Sequence, residues 1–337
     1  MTNSPATTAR QPNPPNTVYH REHLTDRAAM LAMRAMLALQ PAADLGPGGR
    51  AAFDELMAKT PAATGVTYDA ATVGGVPGWW CRPADAGPHA AILYLHGGAY
   101  VVGSAQAFRN FAGQIAARAK AAAFVADYGL APERPFPAAV DDADAAYRGL
   151  AGAGFLRIAI AGDSAGGGLA LVTAARMTQA AREGSVPRPA AVVAMSPWTD
   201  LALTGDSIAT RAGQDPLLTP AALESARQLY LGRTDPNNPR VSPLHGEVAD
   251  LPPVLLHVGE DEILLDDARR YASRLQKAGV VAELHVWEGM VHVFPANLAL
   301  LRAAREALDS TGDHLRHNLV AQRISKPSDN QRNGETE

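Results

Sequence analysis

Cysteine is almost absent from this chain: one residue, Cys81, among 337. No internal disulfide can form, so the sequence gives no support to a cross-linked extracellular scaffold. Cys81 itself, beside Trp79 and Trp80, reads as a small strand residue. Long apolar runs are missing too, and no stretch approaches the ~20 residues needed to span a membrane. Charge is sparse, with a net of −4, which leaves no basic footprint for nucleic acid. Met1–Asn16 is polar and proline-rich without the apolar centre of a signal peptide, so a cytoplasmic address is the expectation. The pairs His20/His23 and His314/His317 are spaced i, i+3 but lack a third ligand, and no metal is expected. His257 and His285 fall inside apolar runs and read as structural.

What the chain does contain is a dense signal at residues 156–175. An apolar run, Leu156-Arg157-Ile158-Ala159-Ile160-Ala161, leads into Gly162-Asp163-Ser164-Ala165-Gly166-Gly167 and then into the helix-like Leu169–Ala175. This is strand, sharp turn and helix around G-x-S-x-G, a turn that projects the serine hydroxyl above a sheet and needs tiny flanking residues. Ser164 occupies the third position of the glycine run, so this is not a G-x-G-x-x-G dinucleotide turn and no cofactor is expected. Upstream, the short strand Ala90–Leu95 runs into His96-Gly97-Gly98-Ala99-Tyr100. A glycine pair lets backbone N–H groups approach a reacting oxyanion, which makes Gly97 and Gly98 candidate donors with Ala165 as the third.

An acid and a base should follow such a serine in the order Ser, Asp or Glu, His. The run Pro253–Gly259 is a strand that ends at Glu260-Asp261-Glu262, and Val281–Trp287 is a last strand followed by a loop holding His292. Loops at the C-terminal ends of parallel strands gather on one edge of a sheet, so Ser164, Asp261 and His292 are expected to converge there. Asp261 is preferred as the acid over Glu260, Glu262, Asp266 and Asp267, the last two being expected to enter a helix and face away.

Taken with Asp127–Glu133, Phe136–Asp142, Ser196-Pro197-Trp198-Thr199-Asp200 and Ser242-Pro243-Leu244, these segments resemble the bacterial GDSAG-type carboxylesterases of the hormone-sensitive lipase family of α/β-hydrolases, over about residues 65–312. The resemblance implies hydrolysis of small or medium acyl esters through an acyl-enzyme, with a small-molecule ester and water as partners. Two positions depart from the family pattern: Ala99 stands where a third glycine is usual, and Gly129 where an arginine is usual. The second departure puts local stability in doubt, not chemistry.

The expected fold is α/β: a mostly parallel eight-stranded sheet flanked by helices, its first two strands antiparallel, under a helical cap. The expected division is a disordered 1–16, N-terminal cap helices in 17–60, a catalytic domain in 61–200 and 242–324, a cap insertion in 201–241 and a disordered tail in 325–337. Thr25 or Asp26 should cap the first helix, in which Met30, Met33, Met36 and Leu37 recur at helical spacing. Tyr100, Trp198, Val293 and Phe294 are candidate pocket walls. An exposed last strand is an edge through which a homodimer could pair. Lactone hydrolysis and deacetylation would use the same groups. A non-catalytic ligand receptor on the same fold is the alternative of another class, and His292 favours an enzyme.

Overall fold

Strand β4 (Ala90–Leu95) sets the architecture. Its Ala91, Leu93 and Leu95 enter one apolar core, while Ile92 and Tyr94 enter a second on the opposite face. A strand buried on both sides reads as a continuous apolar run, and a sheet of such strands needs helices on each face. The computed structural model, which describes residues 14, 16–39 and 44–320, has this arrangement. The segments expected to be disordered, 1–16 and 325–337, lie outside the described residues apart from Pro14 and Asn16.

In chain order the strands are β1 (Thr17–His20), β2 (Val66–Val73), β3 (Val76–Pro83), β4, β5 (Ala122–Ala126), β6 (Arg157–Asp163), β7 (Val192–Met195), β8 (Val254–Gly259) and β9 (Ala282–Trp287). They form one sheet in the order β1-β9-β8-β7-β6-β4-β5-β3-β2. β3 pairs antiparallel with both β2 and β5, and every other pairing is parallel. The helices are α1 (Leu24–Leu37), α2 (Arg50–Met57), α3 (Ala105–Ala119), α4 (Ala138–Gly152), α5 (Ser164–Arg182), α6 (Ser207–Thr210), α7 (Pro220–Leu231), α8 (Leu265–Lys277) and α9 (Arg302–Leu319). Side chains of α3 and α9 fill the core that takes Ile92 and Tyr94, and those of α4, α5, α7 and α8 fill the other.

Among the described residues the sheet has nine strands rather than the eight expected. The extra one, β1, runs parallel to β9 with Thr17 opposite Leu284 and His20 opposite Trp287, so β9 is not an edge. Four residues carry too little periodicity to be read as a strand. Tertiary contacts define it instead: His20 stacks on Trp287 at 3.6 Å between ring centroids, and Tyr19 Oη donates to Glu260.

Two further expectations change. His23, not Thr25 or Asp26, occupies the N-cap of α1. The buried Asp26 carboxylate instead accepts the N–H groups of Arg302 (2.8 Å) and Ala303 (2.7 Å), capping α9, where unpaired helix donors favour an anion. At Gly129, where the family pattern has an arginine, Arg134 supplies a cation. It binds Asp142 through both nitrogens at 2.7 and 3.0 Å, and a Cβ on Gly129 would lie 2.8 Å from its Nη1.

Candidate active site

The turn from β6 into α5 admits no larger residue at Gly166, where a Cβ would lie 2.1 Å from the Leu95 carbonyl oxygen and 2.3 Å from that of His96. Helix and strands touch through backbone alone, and Ser164 is forced to φ +53°, a left-handed conformation uncommon outside glycine. From there its Oγ meets Nε2 of His292 at 2.8 Å. His292 stands on the loop after β9, and its Nδ1 lies 2.7 Å from Oε2 of Glu262, on the loop after β8. With a carboxylate on Nδ1, the neutral ring carries its proton there and leaves Nε2 free to accept the serine proton. Ser164 and His292 are each 8 % exposed and Glu262 is fully enclosed, so the relay is sealed at the acid and opens outward at the serine and the histidine.

This corrects the acid. Asp261 takes no part in the relay: its Oδ2 pairs with Arg34 Nη2 of α1 at 2.8 Å, while its N–H is tied to the Met290 carbonyl at 3.0 Å. Its neighbour Glu260 receives Tyr19 and pairs with Arg211 at 3.7 Å. Three consecutive carboxylates thus point three ways. Glu262 alone turns inward, where its Oε1 accepts the N–H of Gly259 (2.6 Å) and the hydroxyl of Ser196 (2.8 Å). The available hint was that Glu262 abuts the apolar Ile263-Leu264-Leu265 and is drawn under the surface with them. Asp266 and Asp267 do enter α8 and face elsewhere, binding the N–H groups of Ser207 and of Thr199 and Asp200.

The oxyanion donors also shift. Gly97 donates its N–H to Asp163 Oδ1 at 3.1 Å, which removes it from the candidate set. Gly98 and Ala99, at φ +116° and +54°, make no N–H hydrogen bond among the described residues. Ala165 lies in the first turn of α5, where N–H groups have no intrahelical acceptor. Asp163 is itself buried, which pushes its carboxyl up to about 6 against the hydrogen bonds from Tyr94 and Gly97.

Burial drives the His292 pKa down, yet the hydrogen bond and charge of Glu262 outweigh it, aided by the charges of Asp215 and Asp163, and the net shift is upward. Asp215, in the segment between α6 and α7, was missed as a site residue. Its Oδ1 accepts from Leu217 and Leu218, and its Oδ2 from Ile263 N–H at 3.0 Å, next to the acid. Of the four candidate walls, Trp198 and Phe294 are sealed in the two cores. Tyr100 is stacked on Tyr230 at 3.9 Å with 1 % exposure, and Val293 remains half-buried. Among the described residues no group of three or more His, Cys, Asp or Glu is placed to hold a metal, and no helix is long and apolar enough to cross a membrane.

Comparison with known proteins agrees with this fold. Residues 92–296 match a family described by the α/β-hydrolase fold. The chain is 42 % identical over 250 residues to the acetyl-hydrolase of Streptomyces hygroscopicus, covering 74 % of this chain and 82 % of that one. It superposes with a TM-score of 0.81 on the crystal structure of an esterase from the bacterial hormone-sensitive lipase family, at 37 % identity, covering 88 % of this chain and 99 % of that one. It also superposes on the esterase EstE5 in a crystal soaked with p-nitrophenyl butyrate, with a TM-score of 0.78 and 37 % identity over 87 % of this chain and 99 % of that one. The chain belongs to the α/β-hydrolase fold family, with the bacterial hormone-sensitive lipase-type esterases, and is a carboxylic ester hydrolase of the serine type.

Proposed function

We propose that Ser164 is the nucleophile, His292 the general base and Glu262 the acid that orients it, acting on short- to medium-chain acyl esters. The observation that carries this reading is the continuous hydrogen-bonded path from Ser164 Oγ through both ring nitrogens of His292 to Glu262. Ser164 Oγ attacks the ester carbonyl as its proton passes to His292 Nε2. The imidazolium so formed is stabilised by Glu262, and it returns the proton to the departing alcohol. The N–H groups of Gly98 and Ala165, with that of Ala99 beside them, receive the oxyanion. Water then attacks the acyl carbonyl as His292 takes its proton, the bond to Ser164 breaks, and the acyl group leaves as the acid while His292 returns the proton to Ser164 Oγ.

A short acyl group is favoured because Trp198, Phe294 and Tyr100 are committed to packing and leave little apolar wall open to a long chain. The acetyl-hydrolase relative supports the same preference and keeps deacetylation as the second reading. Helices α1 and α2 and the segment 201–241 form the cap in this proposal, since Arg34 and Asp215 meet the acid loop from each; residues 17–20, expected within the cap, belong to the sheet as β1. A cytoplasmic address belongs to the proposal on composition alone. A homodimer paired by strands would use β1 or β2.

The test is a series of p-nitrophenyl esters from acetate to palmitate, followed by acetylated amines and lactones. kcat/KM should peak at or below about eight acyl carbons, because the packed Tyr100, Trp198 and Phe294 leave little apolar wall for a longer tail. A maximum on long chains would contradict the proposed substrate range.

A further inference from the structure

The loop after β7 carries a buried hydroxyl that the reaction as described does not use. Ser196 is 1 % exposed, and its own N–H is fixed to the His257 carbonyl at 2.7 Å. Its Oγ faces two catalytic loops at once. It donates to Oε1 of Glu262 at 2.8 Å and accepts the N–H of Val293, the residue after His292, at 3.0 Å. A hydroxyl has one proton to give. Here that proton goes to the acid, while a lone pair holds the turn that carries the base.

Both ends of this bridge are strained. Ser196 stands at φ +48° and Val293 at φ +49°, and a β-branched residue is a true outlier in the left-handed region. Strained backbone persists where surrounding contacts over-determine it, and it clusters at functional sites. The N–H donated to Ser196 is one such contact, and it lies one residue from the imidazole. On the other side, Glu262 Oε1 has two donors, Gly259 N–H and this hydroxyl, so loss of the hydroxyl removes half of what fixes the carboxylate under His292 Nδ1.

We infer that Ser196 is a positioning residue for the base and acid together: its hydroxyl ties the Glu262 carboxylate to the His292 turn and sets their distance and angle. The inference rests on Glu262 being the acid of the relay.

Ser196→Gly tests it without disturbing the fold, because glycine adopts φ +48° freely while the hydroxyl is lost; Ser196→Ala is the companion. With p-nitrophenyl butyrate, kcat should fall about 10- to 100-fold in both variants with KM within about twofold, the size expected when reacting groups lose alignment. In a Glu262→Gln background, Ser196→Gly should cost less than about threefold more, because residues acting through one another are non-additive. A purely structural serine would give the same fold-loss in both backgrounds. That result, or a Ser196→Gly enzyme within about threefold of wild type, would overturn the inference. If Glu262→Gln alone leaves kcat unchanged, the assignment of the acid fails instead, so the two failures are distinguishable.

Discussion

The turns after β6 and after β8 do similar work, each delivering one functional side chain from a parallel strand to the same sheet edge, yet they are specified in different ways. At the β6 turn the constraint is steric. A Cβ on Gly162 would sit 2.3 Å from the Gly166 carbonyl oxygen, and one on Gly166 2.1 Å from that of Leu95, so residue type is dictated and the motif is visible in the chain. At the β8 turn the constraint is directional. Glu260, Asp261 and Glu262 are chemically alike, and only the path of the backbone, fixed by Glu260 N–H to Trp287 and Asp261 N–H to Met290, decides which carboxylate meets His292. Steric necessity leaves a mark in sequence; side-chain direction among like residues does not.

The largest expected effect is at the steric turn. Ser164→Ala should lower kcat by about 10⁴-fold or more, since the covalent step is lost and only binding and oxyanion contacts remain. A fluorophosphonate should label the wild type at Ser164 and leave the variant unlabelled.

Next comes the loop that faces it. Gly98 stands at φ +116°, and a Cβ there would meet the Val102 carbonyl oxygen at 2.0 Å. Gly98→Ala should move the N–H and cost about 10²- to 10³-fold in kcat, the range for one oxyanion donor. Gly97, whose N–H is already given to Asp163, contributes through packing instead. A Gly98→Ala enzyme with unchanged kcat and an unchanged melting curve would remove Gly98 from the oxyanion site.

A pH profile probes the histidine shared by both turns. Because His292 is shifted upward, mainly by Glu262 against the opposing effect of burial, the imidazole is more readily protonated than a free one. Only the neutral ring can accept the serine proton, so kcat/KM should fall as pH drops through a value above the ordinary 6.5 for histidine. An acid limb centred below 6.5, with chemistry limiting, would contradict the coupling to Glu262.

The smallest effect concerns the N-terminal segment. Arg34 pairs with Asp261, and both side chains are about a quarter exposed (27 % and 26 %), so salt screens the contact and its contribution to stability is modest. Arg34→Ala should leave kcat within about threefold and raise KM, with the difference shrinking at high ionic strength. A large kcat loss would place Arg34 in the chemistry rather than in the cap.

Much of the molecule is legible without coordinates because the physics that fixes it is local. The two-sided burial of β4 to β9 writes apolar runs, the serine turn writes its glycines, and His292 follows the last strand. What is not legible depends on distant partners. β1 exists through Trp287, Asp26 caps a helix that begins 276 residues later, and Trp198 and Phe294 are core because helices from elsewhere close over them. Gly97 shares its glycine pair with the donor proposed at Gly98, but Asp163, 66 residues away, takes its N–H.

Which of two adjacent carboxylates completes the relay is decided by one paired measurement: kcat of Glu262→Gln against kcat of Asp261→Asn on the same activated ester, with intact folding confirmed by thermal melting. Glu262→Gln should lose about 10³- to 10⁴-fold, because a carboxamide no longer enforces the imidazole tautomer or stabilises its charged form, while Asp261→Asn should stay within about tenfold of wild type. The reverse ranking, with Asp261→Asn the more damaging change, would contradict the geometry of the acid loop described here.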